Sequence, residues 1–270
     1  PFFTTDYYNQ SILMSYFRRF RSFLHDRNMN IICNRSSPLV LANSKALIKL
    51  WQKKISRDIK LVHTSSISKM DICNTNINKK FSKSPFRLIF VGRVCYDKGI
   101  RELFEALYIL NNKHHHEGSF TLEIVGQIGD LGGNTFNELI KEYNIEQFVK
   151  YRGVVPFGEG LLKLYKDADI YILPSYHEGL PKTIWEAMSQ GTPIIASKIK
   201  GIKDQFIDEK DILFCLPKNS LSITQQVLKL ISSEKMVEQL QKNGLKKVIN
   251  ITKENQAKVI SELMTKHWQS

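Results

Sequence analysis

Glu178 and Glu186 stand eight positions apart, and Arg93 and Lys98 stand five apart, in a chain of 270 residues. The two cations belong to Gly92-Arg93-Val94-Cys95-Tyr96-Asp97-Lys98-Gly99, a loop that follows an apolar run. Gly92 lets the backbone turn closely, and Gly99 opens the helical stretch beyond. Arginine offers a fork of donors and lysine a mobile point charge, a pair suited to a diphosphate. A leaving nucleoside diphosphate gains negative charge as its sugar bond breaks, and fixed cations aimed at it lower the barrier. A solvated basic loop is the alternative for these residues taken alone. The two acids frame Glu178-Gly179-Leu180-Pro181-Lys182-Thr183-Ile184-Trp185-Glu186. Carboxylates accept hydrogen bonds from vicinal hydroxyls, which sugars and ribose both carry. One acid at a loop and one about two turns down a helix would grip both ends of a nucleotide-sugar; two surface acids are the alternative. Pro181 sits where a first helical turn tolerates it, and the amino end of that helix can take a phosphate on free N–H groups.

The elements that position these residues read as strands alternating with helices. Strands are expected at Arg87–Val91, Leu122–Val125, Val149–Arg152, Ile170–Leu173, Ile194–Ala196 and Ile212–Phe214. Helices are expected over about 99–111, 134–144, 159–167, 182–190, 219–232, 234–249 and 253–267. The pattern means βαβ units and a parallel sheet, with ligands at the carboxyl ends of the strands. The loops after Val91, Val125, Leu173 and Ala196 are therefore the places to search. Ahead of this region, Leu39–Ala42 and Ile59–Val62 read as short strands, with a helix between them from a Ser44 cap to about Lys54. Residues 65–85 are rich in Ser, Asn and Lys and read as a linker.

The segment from Glu178 to Ala196 resembles the E-x7-E signature of the group 1 (family 4) retaining glycosyltransferases. The Gly92-Arg93…Lys98-Gly99 loop looks like the phosphate-binding loop of that family. Ala168-Asp169-Ile170-Tyr171-Ile172-Leu173-Pro174-Ser175 matches the strand before the signature, and the three agree in order and spacing over about residues 86–216. The resemblance implies an α/β fold of the GT-B type, with a Rossmann-like parallel-sheet domain for the donor and a second α/β domain, here partial, at the N-terminus. It implies a partial acceptor-side domain over 1–66, a linker over 67–85, a nucleotide-sugar-binding domain over 86–250 and a helix over 251–270 that crosses back to the first domain. It implies sugar transfer from a UDP- or GDP-linked donor to a hydroxyl with retention at the anomeric carbon, without a metal or another cofactor. Arg93 and Lys98 would hold the diphosphate and act with Glu178 in catalysis. Glu178 would contact the donor sugar and Glu186 the ribose, with Gly92, Gly179, Leu180, Pro181 and Thr183 completing the donor site.

There are departures. Lys182 stands where the family often has Asn, and Lys203-Asp204 where a Pro-Glu pair is common. The Gly-rich loop and the His that complete the family's site would precede Pro1, so most of the acceptor domain is expected to be missing from this chain. A truncated donor-binding module and a sugar-nucleotide epimerase of the same fold are the rival readings.

Charge bears on the partner. Residues 1–84 hold 15 Lys and Arg against 4 Asp and Glu, a net of +11 out of the +13 of the whole chain. That third fits an anionic partner, a lipid-linked acceptor or a membrane surface, or is simply a soluble basic surface. Ile12, Leu13, Tyr16, Phe17, Phe20, Phe23 and Leu24 recur at helical spacing around Arg18, Arg19 and Arg21. Such a stripe is either a core-packed helix or a basic helix lying on a membrane. The expected partners are a nucleotide-sugar and a saccharide or lipid-linked acceptor, with peripheral membrane contact through the basic region and no nucleic acid. The four cysteines, Cys33, Cys73, Cys95 and Cys215, form no CxxC pair, and free thiols in a cytoplasmic setting are the simplest account. No apolar run approaches the roughly 20 residues that span a bilayer. His114-His115-His116 reads as a polar loop or a metal site. The Gly126…Gly133 loop misses the dinucleotide fingerprint, and His177 reads as a loop residue or a proton donor.

Overall fold

Runs of apolar residues without polar alternation bury both faces of a strand, and four such runs make the centre of this protein. A computed structural model describes residues 39–43, 45–56, 58–73, 81, 84–112 and 120–269. The apolar stripe at 12–24, the Ser44 cap, Cys33 and the histidine run at 114–116 lie outside the described residues. The described residues fall into two compact units, one up to Val62 together with those from Ser261 onward, the other His63–Ile260.

In the first unit, strands β1 (Val40–Ala42) and β2 (Ile59–Leu61) pair in parallel, joined through helix α1 (Lys45–Trp51). Ile55 and Ile59 are buried there, with Val40, Ala42, Ile48 and Trp51 packed on them.

The second unit holds six strands: β3 (Phe86–Val91), β4 (Phe120–Val125), β5 (Val149–Tyr151), β6 (Ile170–Leu173), β7 (Ile194–Ser197) and β8 (Leu213–Cys215). All neighbours are parallel, in the order β5-β4-β3-β6-β7-β8. Strands β6, β7 and β8 are buried throughout, and β5 is the exposed edge. The unit's helices are α2 (Ile100–Asn112), α3 (Gly133–Glu142), α4 (Glu159–Asp167), α5 (Lys182–Ser189), the short α6 (Lys200–Lys203), α7 (Ser220–Ile231) and α8 (Glu234–Ile249), and the last helix, α9 (Lys253–Trp268), holds residues of both units. Helix α2 packs on α7, and α5 on α8.

The strand order reverses once. After β3 the chain runs outward through β4 and β5, then returns to lay β6 on the other side of β3. Ligands of open α/β sheets bind at such a switch point, beyond the carboxyl ends of the strands. The loops after Val91 and Leu173 meet there. At the opposite end the buried Asp169 accepts a hydrogen bond from the Arg87 amide at 2.7 Å, which fixes β6 against β3.

The segment ahead of β3 belongs to this unit. Ile67 is buried in its core, the Cys73 amide donates to the Ser189 carbonyl, and the Lys253 amide donates to the Ile67 carbonyl. Gln190 Nε2 donates to the Asp71 carbonyl at 2.6 Å.

Three short elements lie between the expected ones, 3₁₀ turns at Lys69–Asp71 and Tyr96–Lys98 and helix α6. Helix α2 accordingly starts at Ile100, and Gly99 closes the turn before it in the left-handed conformation with φ 68°. A Cβ on Gly99 would lie 2.3 Å from the Pro174 carbonyl oxygen. Gly99→Ala therefore meets both a strained backbone and a clash with the neighbouring loop. It should cost about 2 kcal/mol or more of stability. Chemical denaturation will measure this, and an unchanged midpoint would contradict it.

Candidate functional site

The loop after β3 leaves the sheet at Gly92 and is pinned from both sides. Val94 bridges Ile128 in the loop after β4, with its amide on the Gln127 carbonyl at 2.8 Å and its carbonyl accepting from Gly129. On the other side the Tyr176 amide, in the loop after β6, donates to the Asp97 carbonyl at 2.7 Å. These bonds bring Lys98 to Glu178. Lys98 Nζ donates to Glu178 Oε1 at 2.6 Å, and the buried Ser175 Oγ donates to the same oxygen at 2.8 Å. The two charged side chains are only 15% and 14% exposed, which places the pair in a partly desolvated setting where Coulomb attraction is strong. Lysine carries three donors and Glu178 Oε2 accepts from no described residue, so both partners keep capacity for a ligand. Arg93, from the same loop, is exposed; its carbonyl accepts from Cys95 Sγ at 3.5 Å, and its guanidinium makes no hydrogen bond or ion pair with another described residue.

Cys95 lies between the two cations but is buried, and its Sγ donates to Asp97 Oδ1 at 2.9 Å. Burial first, then the Asp97 carboxylate, push its thiol up to about 11. Such a thiol is no nucleophile at neutral pH, so Cys95 holds the loop in shape. Cys73 and Cys215 are also free thiols.

The acidic loop meets helix α5 at Pro181, which takes the N-cap position, one residue before the first helical turn expected for it. The backbone N–H groups of Gly179, Leu180, Lys182 and Thr183 donate to no described residue. Four open donors beside a helix amino end make an anion-binding concavity. The loop is supported from beneath by α6. A Cβ on Gly201 would sit 1.9 Å from the Glu178 carbonyl oxygen, so only glycine allows this approach. Gln205 Nε2 donates to the Gly201 carbonyl at 2.6 Å and to the Gly179 carbonyl at 3.4 Å.

Along α5, Thr183 Oγ1 accepts from the Tyr171 hydroxyl at 2.7 Å. Glu186, one turn on, is buried. It accepts from Ser66 Oγ on Oε1 and from the Tyr165 hydroxyl on Oε2, each at 3.1 Å. Both Glu178 and Glu186 act electrostatically on the Tyr171 hydroxyl, which burial pushes well above its ordinary value. Lys98 is joined to the first of these acids, and Tyr171 to Thr183, one helical turn before the second. His177 is exposed beside them. Among the described residues no group of His, Cys, Asp and Glu is placed to hold a metal ion.

Sequence reasoning missed Ser66, Tyr165, Tyr171 and Ser175, which carry the hydrogen bonds to the acids and to Thr183. Tyr171, within the apolar run Ile170–Leu173, was the available signal, since a buried tyrosine hydroxyl needs a partner.

Burial holds the Glu186 carboxyl above its ordinary value of 4.5, against the opposing hydrogen bonds from Ser66 and Tyr165 and the charge of Lys182. A raised folded-state value means the folded chain holds this proton more tightly. The group then favours folding below the ordinary carboxylate range and loses that contribution as pH climbs through the raised value. Glu186→Gln is neutral throughout. Its melting temperature relative to the parent should therefore rise as pH climbs out of the ordinary carboxylate range. A flat or falling difference in paired thermal melts would contradict an ionising, buried Glu186.

Residues 74–247 match the family model described as glycosyl transferases group 1. The chain is similar to an uncharacterized glycosyltransferase of Methanocaldococcus jannaschii, 32% identical over 185 residues, which cover 66% of this chain and 46% of that protein. It is also similar to the N,N'-diacetylbacillosaminyl-diphospho-undecaprenol alpha-1,3-N-acetylgalactosaminyltransferase of Campylobacter jejuni. That match is 28% identical over 173 residues, 63% of this chain and 41% of the relative. The chain therefore spans less than half the length of these two relatives. Among solved structures, Anabaena Alr3699/HepE in complex with UDP superposes with a TM-score of 0.74 at 18% identity, over 89% of this chain and 67% of that one.

Proposed function

From the premise that this chain belongs to the group 1 glycosyltransferases and has their α/β, GT-B type fold, we propose that it carries the donor site of a retaining sugar transferase. The donor is a UDP- or GDP-linked sugar. The observation that carries this reading is the Lys98–Glu178 pair at 2.6 Å, set at the switch point beside the open N–H groups of α5. A cation for phosphate and an acid for hydroxyls stand next to each other, as the junction between a diphosphate and a sugar requires.

Arg93 and Lys98 hold the diphosphate and meet the charge that grows on it as the anomeric C–O bond breaks. Gly92 and the amides from Gly179 to Thr183, with Leu180 and Pro181 in the same turn, line the phosphates and the sugar. Glu178 takes a sugar hydroxyl on Oε2, and Glu186 takes the ribose hydroxyls. The acceptor hydroxyl attacks from the face the diphosphate leaves, and its proton passes to the departing phosphate oxygen. Charge stabilisation is thereby assigned to side chains and amides, with no metal.

The acceptor is a saccharide or a lipid-linked saccharide, in the synthesis of a surface polysaccharide or glycolipid. Two observations support the lipid-linked form. The net charge of +11 over residues 1–84 suits an anionic surface. A relative bears the name of an enzyme acting on a diphospho-undecaprenol saccharide. No helix among the described residues is long and apolar enough to cross a membrane. The reading places the protein in the cytoplasm, peripheral on the inner face of the membrane.

A thermal-shift screen over UDP- and GDP-sugars tests the donor assignment. One of them should raise the melting point through mass action. Arg93→Ala and Lys98→Ala should each weaken nucleotide-diphosphate binding about tenfold or more, as expected for a lost charge-assisted contact. Glu186→Ala should abolish the shift. If no nucleotide-sugar stabilises the chain, or these variants respond as the parent does, the donor site lies elsewhere.

A further inference from the structure

Two tyrosines under α5 are fully buried, Tyr165 near the end of α4 and Tyr171 in β6. Their rings meet edge-on, centroids 5.5 Å apart. A buried hydroxyl is costly without a partner, so its direction reports its use. Both point at α5 and at residues one turn apart, which share a face. Tyr171 serves Thr183 and Tyr165 serves Glu186. Tyr165 is itself held, for its carbonyl accepts from Thr192 Oγ1 at 2.6 Å just before β7.

The count of lone pairs on Glu186 gives this arrangement a purpose. An ionised carboxylate has about four acceptor sites, two on each oxygen. Ser66 takes one on Oε1 and Tyr165 takes one on Oε2. One site on each oxygen is left over. Vicinal hydroxyls require that pattern, one acceptor per oxygen from a carboxylate that does not rotate. Internal donors on both oxygens prevent the rotation, and they stabilise the ionised form that accepts best.

Resting on the assignment of Glu186 to the ribose, we propose that Tyr165, assisted by Ser66, is a positioning residue that sets the Glu186 carboxylate for bidentate capture of the two ribose hydroxyls. Its hydroxyl does not touch the nucleotide. It acts on the ribose only through Glu186, so its loss erases recognition of the hydroxyls and leaves recognition of phosphate and base intact. Tyr171 supplies the comparison: it is equally buried and loses the same atom in Tyr171→Phe, but its hydroxyl serves Thr183.

Calorimetric titration of the whole chain with UDP and with 2′,3′-dideoxy-UDP tests this, with GDP and its dideoxy analogue run in parallel. The parent should prefer the natural diphosphate by about tenfold or more, the worth of hydrogen bonds to a charged acceptor. Tyr165→Phe should remove most of that preference while binding the dideoxy form as the parent does. Tyr171→Phe should keep the preference. The proposal is overturned if Tyr165→Phe retains the full preference, or if Tyr171→Phe loses it equally, which would mark a general loosening of α5. If Tyr165→Phe does not fold, Ser66→Ala carries the same test on the other oxygen and under the same rule. Failure of the underlying assignment looks different. The parent would then fail to distinguish the two forms, or Glu186→Ala would still distinguish them, and the proposal falls with it.

Discussion

Attraction between Lys98 and Glu178 is the contact on which the geometry of the site depends, and it exists only because the sheet reverses its order. The two residues lie 80 positions apart, on loops following β3 and β6. Had β6 continued outward beyond β5, the loops would stand at separate strand ends. The reversal sets β3 and β6 side by side and leaves a crevice beyond their carboxyl ends. The backbone reinforces the side chains there. The Tyr176 amide ties one loop to the other through Asp97, and the absent Cβ of Gly99 lets the Pro174 carbonyl approach. A partly desolvated ion pair closes the gap. Because an ammonium group has three donors, Lys98 can remain with Glu178 and still serve an anion.

A second constraint acts from below. Burying Glu186 and two tyrosine hydroxyls in an apolar core is unfavourable unless every polar atom is matched. The matching here is specific: Tyr171 to Thr183, Tyr165 and Ser66 to Glu186, Thr192 to the Tyr165 backbone. The first three bonds fix side chains of α5 against β6, α4 and the segment ahead of β3, and the fourth holds Tyr165 itself. The helix is only eight residues long, too short to hold its geometry by its own propensity. Its orientation must come from this packing, and with it the direction in which its amino end presents N–H groups.

The parallel sheet was legible in the sequence because its central strands are unbroken apolar runs closed by glycine or proline. Ile170–Leu173 and Ile194–Ser197 leave no other reading at that length. The helices after β3 were legible to within a residue or two for the same reason, a period sustained over several turns, whereas the first helix stops at Trp51, short of the expected Lys54. Elements of three or four residues, the turn at Tyr96–Lys98 and helix α6, show no period and were read as loop. The charged members of the site were legible by type and spacing. Its uncharged members were not. Ser66 lies 120 positions from the acid it serves, in a Ser- and Asn-rich stretch that reads as linker, and nothing local distinguishes it from Ser65 or Ser68. Tyr165 and Tyr171 carry large apolar rings, so periodicity counted them as core and was right about the rings. Only the fold says where the hydroxyls end.

What remains open in this neighbourhood is as ordered as what is filled. Around the crevice the acids are braced, the thiol of Cys95 is engaged with Asp97, and the loops are tied through their backbones. Against that background four consecutive-region amides, one oxygen of Glu178 and the Arg93 guanidinium have no partner among the described residues. They gather beyond the carboxyl ends of β3 and β6, amide and guanidinium donors together with a carboxylate acceptor. A fold that spent bonds on these groups would bind its own backbone more tightly and a ligand less. The braced layer beneath α5 holds the open groups in a fixed arrangement, so ordering them costs little to a ligand that meets them.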